Sequence, residues 1–318
     1  MKEEFFCLSE NQTLANKIVR HLKIELIHDL SLSTVNLQQF SDGELCTDFP
    51  ISVRGKRVFI LSEFHNSDEI IKLNLALDAL KRAGASEMIP ILPYFIYARA
   101  DKKDQPRGPI AGKIMAEMIE QRGATSVITF DLHADQIQGF FNIPVIHIQG
   151  KNVFDEYLKT IITPETVLCS PDAGGGKRVK RMKEQIKSKF SINLDMVMLD
   201  KTRSEANVVD EMVIIGSVVG KDVIIIDDMI DTFGTASKAV EVLLENGAKS
   251  VQMFASHGVL SGPAFERINE SKIRKLIISD SRYNPENPKV GVISVAKQIA
   301  LAIYSHSKHT SYEELKQN

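Results

Sequence analysis

Residues 73–92 (LNLALDALKRAGASEMIPIL) combine an amphipathic segment, a Gly-Ala step and a short apolar run, and this pattern decides the fold class. The pattern recurs at residues 111–130 (AGKIMAEMIEQRGATSVITF) and 236–255 (ASKAVEVLLENGAKSVQMFA). Apolar residues before each glycine have helical spacing, and a glycine after the last of them is typical of a left-handed helix C-cap. The apolar runs do not alternate with polar residues, which is typical of strands buried on both faces. Repeated helix–strand units predict an α/β protein with mainly parallel sheets flanked by helices.

Composition limits the classes of protein to which the chain can belong. At about 150 residues per domain, a length of 318 residues predicts roughly two domains. A formal charge of -2 argues against general attraction to nucleic acid or anionic membranes. No apolar run approaches the ~18 residues of a membrane span, and the start, MKEEFFCLSE, does not resemble a signal peptide. Cys7, Cys46 and Cys169 lie far apart, without the spacing of a zinc site. We therefore predict a cytoplasmic protein with no nucleic-acid or membrane partner.

Four of the predicted strands end in polar residues, and sites in parallel sheets lie at the carboxyl ends of strands. In the N-terminal half, IPILPYFIYA leads to Arg99 and SVITF leads to Asp131. In the C-terminal half, TVLCS leads to Asp172 and DVIII leads to Asp227. The sequence therefore predicts functional residues in both halves of the chain.

This distribution predicts two α/β domains that divide near residue 150. We expect the first at residues 1–150 and the second at residues 151–300. The tail reads as a helix with a polar end. The helix at about 300–318 is a candidate to pack back on the first domain.

The sharpest motif is VIIIDDMIDTFGTA at residues 223–236. An apolar strand leads to an acidic pair, and a loop with two threonines then opens a helix. Unpaired N–H groups at a helix N-terminus suit a phosphate, and carboxylates suit sugar hydroxyls or a magnesium ion. The motif predicts a sugar-phosphate site, with a capped strand–helix turn and solvated acids as the ordinary alternative. Its candidate residues are Asp227, Asp228, Asp231, Thr232, Phe233, Gly234 and Thr235.

Five other segments carry reactive or charged side chains, and each has an ordinary interpretation when taken alone. His133 lies in DLHADQIQGFF, and a lone histidine is usually structural. Asp172 precedes three glycines and a basic helix, which solvation alone could explain. The segments RADKKDQPRGP (99–109) and LDKTRSEAN (199–207) read as solvated loops, and FSDGE (40–44) reads as a turn.

Taken together, these segments are similar to those of one family. The 223–236 motif resembles the phosphoribosyl-diphosphate-binding loop of type I phosphoribosyltransferase-like proteins. FSDGE, YARADKK (97–103), DLHADQIQGFF, SPDAGGG (170–176) and LDKTR, in this order, resemble the ribose-phosphate diphosphokinase, or PRPP synthetase, family. The resemblance extends from about residue 4 to the C-terminal helix. It implies two type I phosphoribosyltransferase-like domains, commonly assembled as homo-oligomers built from dimers, including hexamers.

The resemblance also implies substrates, a cofactor and residue roles. ATP and ribose 5-phosphate would be the substrates and Mg²⁺ the cofactor, held by His133 and Asp172. Lys201 and Arg203 would be the catalytic cations of a mobile loop. Arg203 would also contact ribose 5-phosphate, together with Asp227, Asp228 and residues 231–235. The implied ATP-binding residues are Phe40, Asp42, Gly43, Glu44, Arg99, Ala100 and Asp101.

The implied reaction transfers the β,γ-diphosphoryl group of ATP to the C1 hydroxyl of ribose 5-phosphate. Its products are 5-phosphoribosyl 1-diphosphate and AMP. Two alternatives stay open: a catalytically silent regulatory subunit associated with the synthetase, and a type I phosphoribosyltransferase. The sequence departs from the family pattern at Ala100, where glutamine is usual, and at Thr202, where arginine is common. Gly84 and a tail without the usual aromatic end leave the family's ADP and phosphate regulation open.

Overall fold

The structure is a computed structural model that describes residues 1–9, 12–202 and 211–316. It divides into two compact units, Met1–Gln149 with Ser294–Asn318, and Gly150–Ile293. The sequence predicts this second boundary at about residue 300. In the structure it lies at residues 293 and 294, because a strand of the second unit ends at Ile293 and a helix of the first unit begins at Ala296.

The first unit is built on a six-stranded parallel sheet with the order β2-β1-β5-β6-β7-β8. Its strands are β1 (Glu3–Cys7), β2 (Leu32–Ser33), β5 (Arg57–Leu61), β6 (Glu87–Leu92), β7 (Val127–Phe130) and β8 (Val145–Ile148). An antiparallel pair, β3 (Asn36–Gln39) and β4 (Leu45–Asp48), forms a separate hairpin. The helices are α1 (Thr13–Ile24), α2 (Asp68–Arg82), α3 (Ala111–Gln121), α8 (Ala296–Lys308) and α9 (Tyr312–Leu315).

The second unit is built on a seven-stranded sheet with the order β11-β10-β9-β12-β13-β14-β15. Its strands are β9 (Thr166–Ser170), β10 (Asp195–Thr202), β11 (Glu211–Ile215), β12 (Asp222–Ile230), β13 (Ser250–Gly258), β14 (Lys275–Ser279) and β15 (Val290–Ile293). All neighbours are parallel except β10 and β11. The helices are α4 (Lys151–Ile161), α5 (Gly176–Phe190), α6 (Gly234–Glu245) and α7 (Ala264–Glu270).

The three repeated segments fold as their apolar pattern predicts. Each forms a helix, α2, α3 or α6, followed by a strand, β6, β7 or β13. Gly84, Gly123 and Gly247 after the helices have φ values of +82°, +96° and +90°. This left-handed conformation is costly for residues with a Cβ atom, so glycine ends each helix and lets the chain turn back to the sheet. The predicted α/β class with mainly parallel sheets is confirmed.

The C-terminal helix α8 belongs to the first unit and contacts α1. It buries one apolar face, which includes Ile299, Ala300 and Ile303. Its last turn is also held by the buried Arg57 at the start of β5, whose Nη1 donates to the Ser307 carbonyl at 3.4 Å. In the described part of the chain, no helix is both long and apolar enough to cross a membrane.

Candidate functional site

The polar residues of the first unit lie where two neighbouring strands end. β6 leads to the turn that carries Arg99, and β7 leads to Asp131 and His133. Because β6 and β7 are parallel neighbours, both segments leave the same edge of the sheet. Tyr97 and Asp131 have positive φ values of 62° and 40°. Such backbone conformations are unfavourable for these residues, and they tend to concentrate at functional sites.

The segment after β7 is held from the neighbouring strand β8. His147 on β8 accepts a hydrogen bond from the Leu132 N–H at its Nε2, at 3.0 Å. Its Nδ1 lies 3.8 Å from Oδ1 of Asp135, which opens a 3-10 helix (Asp135–Phe140). Leu132 is buried, whereas His133 is exposed. The imidazole of His133 is therefore presented to solvent on a braced segment.

Arg99 lies in a compact turn and is exposed. The Ala100 N–H donates to the Tyr97 carbonyl at 2.9 Å, and the Gly112 N–H at the start of α3 donates to the Ala100 carbonyl at 3.1 Å. Ala100 and Asp101 are partly buried. The turn thus fixes the backbone on both sides of Arg99 and leaves its guanidinium accessible to a polyanion.

The FSDGE segment closes the β3–β4 hairpin, as its turn-forming residues predict. The Phe40 N–H donates to the Glu44 carbonyl at 2.8 Å, and Asp42 Oδ1 accepts the Glu44 N–H at 3.1 Å. Gly43 has a φ of +95°, which the turn requires. The Phe40 ring is 46% exposed although it is apolar. The hairpin therefore presents an accessible aromatic face beside two carboxylates.

In the second unit, Asp172 follows strand β9, which lies between β10 and β12 in the sheet. Its Oδ1 accepts the Gly175 N–H at 2.8 Å, and its carbonyl accepts the Ser170 hydroxyl at 2.6 Å. A Cβ on Gly175 would lie 2.9 Å from Ser170 Oγ, so only glycine allows this close approach. The Asp172 carboxylate is exposed.

Asp227 and Asp228 lie within β12, which continues to Ile230 rather than ending before the acidic pair. Asp227 is opposite Ala255 of β13, and its Oδ1 accepts the Asp228 N–H at 2.8 Å. Asp228 is buried and lies 3.5 Å from Nη1 of Arg178, at the start of α5. Burial raises the pKa of Asp227, and the neighbouring Asp228 charge raises it further.

The turn between β12 and α6 contains the remaining candidates. Thr232 and Thr235 are exposed, and Asp231 accepts a hydrogen bond from Ser261. Phe233 has a φ of +60°, and its side chain is buried in the apolar core of the unit. A ligand at this turn would therefore meet the backbone of Phe233 and not its ring. The sequence pattern gave no signal for this orientation.

The segment with the predicted catalytic cations differs in part from its expected form. Residues 199–207 are expected to be a loop, but β10 continues through Thr202 and pairs with β11. Pairing across two strands satisfies backbone groups that a loop would expose. Lys201 is thus part of the antiparallel β10–β11 pair, opposite Met212. Arg203 lies outside the described residues.

The predicted metal ligands lie on separate units, His133 on the first and Asp172 on the second. Among residues 1–9, 12–202 and 211–316, no group of three or more His, Cys, Asp or Glu side chains is arranged to hold a metal ion. His147, which holds the segment after β7, is a residue that the sequence does not single out. Arg267, whose Nη1 donates to the Thr232 carbonyl at 3.0 Å, is another. The only sequence signal for His147 is a polar residue within the apolar run of β8.

Comparisons with known proteins identify the family of the chain. Residues 4–123 match the model of the N-terminal domain of ribose phosphate pyrophosphokinase, and residues 178–313 match the phosphoribosyl synthetase-associated domain. The chain is 43% identical to a ribose-phosphate pyrophosphokinase of Helicobacter hepaticus over 94% of each chain. It is 41% identical to one of Porphyromonas gingivalis, over 93% of this chain and 94% of that one.

A solved structure shares the whole architecture. The crystal structure of phosphoribosylpyrophosphate synthetase from Mycobacterium smegmatis matches with a TM-score of 0.88 and 31% identity, over 97% of this chain and all of that one. The matches extend over both units, so they are not confined to the phosphate-binding motif. The chain therefore belongs to the ribose-phosphate pyrophosphokinase family.

Proposed function

We propose that this chain transfers the β,γ-diphosphoryl group of ATP to the C1 hydroxyl of ribose 5-phosphate. The proposal is supported by the presence, in one chain, of two separately folded sets of residues whose chemistry suits anions. The turn at residues 231–235 suits a pentose phosphate, and the edge with Arg99 and His133 suits a polyphosphate. A phosphoribosyltransferase needs only the first set, whereas a diphosphokinase needs both.

On the ATP side, the hairpin would bind the nucleoside. The exposed Phe40 ring can stack on the base, and Asp42 and Glu44 can accept hydrogen bonds from the adenine amino group or the ribose. The positive φ of Gly43 maintains the turn that places these side chains together. The exposed Arg99 would bind the phosphate oxygens with two parallel hydrogen bonds. Ala100 and Asp101 would contribute the backbone of that turn.

On the ribose 5-phosphate side, the acidic pair and the turn would bind different parts of the ligand. Asp227 and Asp228 can accept hydrogen bonds from ribose hydroxyls. The 5-phosphate would accept from backbone N–H groups at the start of α6 and from the exposed hydroxyls of Thr232 and Thr235. Phe233 would contribute only through its backbone, because its ring is buried.

We propose Mg²⁺ as the cofactor, and the side chains present fit it. Carboxylate oxygens are ligands that magnesium prefers, and Asp172 offers an exposed carboxylate. His133 is exposed and offers an imidazole, and the carboxyl groups of Asp227 and Asp228 lie close enough to interact with each other. Magnesium usually retains waters and substrate phosphates among its ligands, which is consistent with a site of few protein groups. When bound, it would neutralise phosphate charge.

The chain's own residues would position the reactants and stabilise charge. The C1 oxygen of ribose 5-phosphate forms a bond to the β-phosphorus of ATP, the bond between that phosphorus and the α-bridging oxygen breaks, and AMP leaves. The proton of the C1 hydroxyl passes to solvent. Negative charge grows on the phosphoryl and leaving oxygens, and such transfers depend on positioning and cations. We propose that Lys201 and Arg203 supply these cations.

One assay tests the reaction against both alternatives. The purified chain is incubated with ATP, Mg²⁺ and ribose 5-phosphate, and the products are separated by ion-exchange chromatography. We expect AMP and 5-phosphoribosyl 1-diphosphate in equal amounts. Absence of AMP would favour the silent subunit, and consumption of supplied phosphoribosyl diphosphate with a nucleobase would favour the transferase.

The role of Lys201 is tested by Lys201→Ala. A cation that acts mainly in the transition state lowers kcat far more than it weakens ATP binding. We therefore expect a loss in kcat of about a hundredfold or more, the order found for one electrostatic group in a transition state, with the ATP Kd nearly unchanged. An equal loss in both quantities would refute the transition-state role.

We also propose a cytoplasmic homo-oligomer built from dimers. The family resemblance supports the oligomer, because the FSDGE site is completed in the family by a neighbouring subunit. The free thiols of Cys7, Cys46 and Cys169 are consistent with a reducing compartment. Sedimentation velocity at several concentrations tests the assembly, and a monomer at all of them would exclude it.

A further inference from the structure

The turn that follows β12 is held by a segment that comes much later in the chain. The N–H groups of Val259 and Leu260 donate to the Ile230 carbonyl at 2.8 and 3.1 Å. Ser261 donates to the Asp231 carboxylate. These three hydrogen bonds join the loop after β13 to the end of β12 and to the turn that follows it, and the two strands are parallel neighbours. The proposed phosphate turn is therefore fixed from outside its own motif.

Arg267 on α7 makes the most direct of these contacts. Its Nη1 donates to the Thr232 carbonyl at 3.0 Å. A Cβ on Gly234 would lie 3.0 Å from the same Nη1, so the guanidinium lies against the first residue of α6. Arg267 is half-buried, and no second hydrogen-bond acceptor for it is found in the part of the chain that the structure describes. Most of its five N–H donors thus remain available beside the turn.

The charge of Arg267 matters because its surroundings are acidic. Asp228 precedes the turn and Asp231 is its first residue, and their negative charges would repel a phosphate dianion. The N-terminus of α6 contributes only about half a positive charge. A whole positive charge held against Thr232 and Gly234 would offset this repulsion and would also fix the carbonyl that orients the turn.

From this geometry we propose that Arg267 is a positioning residue for ribose 5-phosphate. It holds the turn at residues 231–235 in the form that accepts the 5-phosphate and supplies a positive charge there. The inference rests on the proposed function, since it concerns the same substrate. It assigns a role to α7, which the sequence motifs do not include.

The experiment compares Arg267→Met with the wild type and with Arg274→Met. Arg274 is an exposed arginine of the same unit, and no side-chain hydrogen bond or ion pair of it is found among the described residues. Arg274→Met therefore removes the same charge without touching the turn. Arg267→Lys keeps the charge and can still donate to the Thr232 carbonyl. Arg267→Gln keeps a donor but not the charge.

Two measurements are made on each variant: steady-state kinetics with either substrate varied, and calorimetric binding of ribose 5-phosphate in the absence of ATP. For Arg267→Met we expect a rise of about tenfold to a hundredfold in the KM and Kd for ribose 5-phosphate, the effect of losing one charge-assisted hydrogen bond. The KM for ATP should change less than about twofold, because we expect Arg267 to affect the binding of ribose 5-phosphate and not that of ATP. Arg267→Lys should recover most of the loss, Arg267→Gln little of it, and Arg274→Met should match the wild type.

The outcomes that contradict the role of Arg267 can be told apart from those that contradict the proposed function. If Arg267→Met is folded and binds ribose 5-phosphate as the wild type does, the proposal is wrong. If Arg267→Met raises both KM values equally, Arg267 has a structural role and the proposal is wrong. If Arg274→Met has the same effect as Arg267→Met, only the net charge of the unit matters and the proposal is also wrong. If Arg267→Met does not fold, near-normal ribose 5-phosphate binding by Arg267→Gln would overturn the role of the charge. If the wild type neither binds ribose 5-phosphate nor releases AMP, the proposed function fails, whatever the variants do.

Discussion

Replacement of Arg57 by methionine should destabilise the first unit, including the C-terminal helix that packs on it. Arg57 is only 2% exposed. Its Nε donates to Glu87 at 2.6 Å, and its Nη1 donates to Glu3 at 2.9 Å. The same Nη1 reaches the Ser307 carbonyl in the last turn of α8. Methionine fills much of the same volume but leaves both carboxylates and this carbonyl without their cation.

The size of the effect follows from the burial of these groups. Removal of one partner of a buried ion pair costs about 3–5 kcal/mol, because the remaining charge is left without compensation. Glu3 retains His28, whose Nε2 lies 2.9 Å away, and the Glu87 side chain is 27% exposed, so water partly replaces the arginine. We therefore expect the free energy of unfolding of the first unit to fall by about 2–4 kcal/mol.

Hydrogen exchange measures this quantity locally, which is necessary because the two units need not unfold together. Protection of the slowest-exchanging amides of the first unit, including those of α8 (Ala296–Lys308), should fall by about 30-fold to 700-fold, the equivalent of 2–4 kcal/mol. Arg82→Met is the matched control, since the Arg82 Nε lies at the same 2.6 Å from Asp78 but the two side chains are 79% and 37% exposed. We expect this control to leave protection unchanged. Protection of α8 in Arg57→Met within about threefold of the wild type would refute the reasoning.

Three further predictions concern other buried contacts. Burial lowers the pKa of His306 below its ordinary value of 6.5. The unfolded chain therefore binds a proton at His306 more readily than the folded chain does, and the free energy of unfolding should fall as the pH drops from 7 through 6.5. Chemical denaturation at several pH values measures this slope, and a stability that rises on acidification over this interval would contradict it. His147→Phe removes the acceptor of the Leu132 N–H and should lower kcat about tenfold, because the segment that carries His133 would be misplaced. His147→Gln should be less impaired. Equal activity of His147→Phe and the wild type would exclude a role of His147 in positioning this segment. Burial raises the pKa of Cys7 and Cys169 to about 12. A thiol reagent at pH 8 should therefore modify only the exposed Cys46 in the folded protein. A second fast-reacting thiol would contradict this prediction.

The order of helices and strands was predictable because it depends on local chemistry. Apolar spacing before Gly84, Gly123 and Gly247 indicates where helices lie, and each glycine takes the left-handed conformation that ends them. Parallel topology then places the ends of neighbouring strands at one edge, so the segments that carry Arg99 and His133 could be expected to lie there together. The end of β12 was not predictable in the same way, because pairing with β13 extends it beyond the acidic pair.

The supporting contacts of the candidate site were decided by tertiary structure. Arg267 meets Thr232 across 35 residues, and Arg57 meets Ser307 across 250. Phe233 points into the core, although its neighbours in the turn are polar and exposed. A local pattern specifies which residues have the chemistry for a site, since periodicity and turn propensity act over a few residues. Which distant side chains hold that site in place depends on how sheets and helices pack, and only the folded chain brings those groups within hydrogen-bond distance.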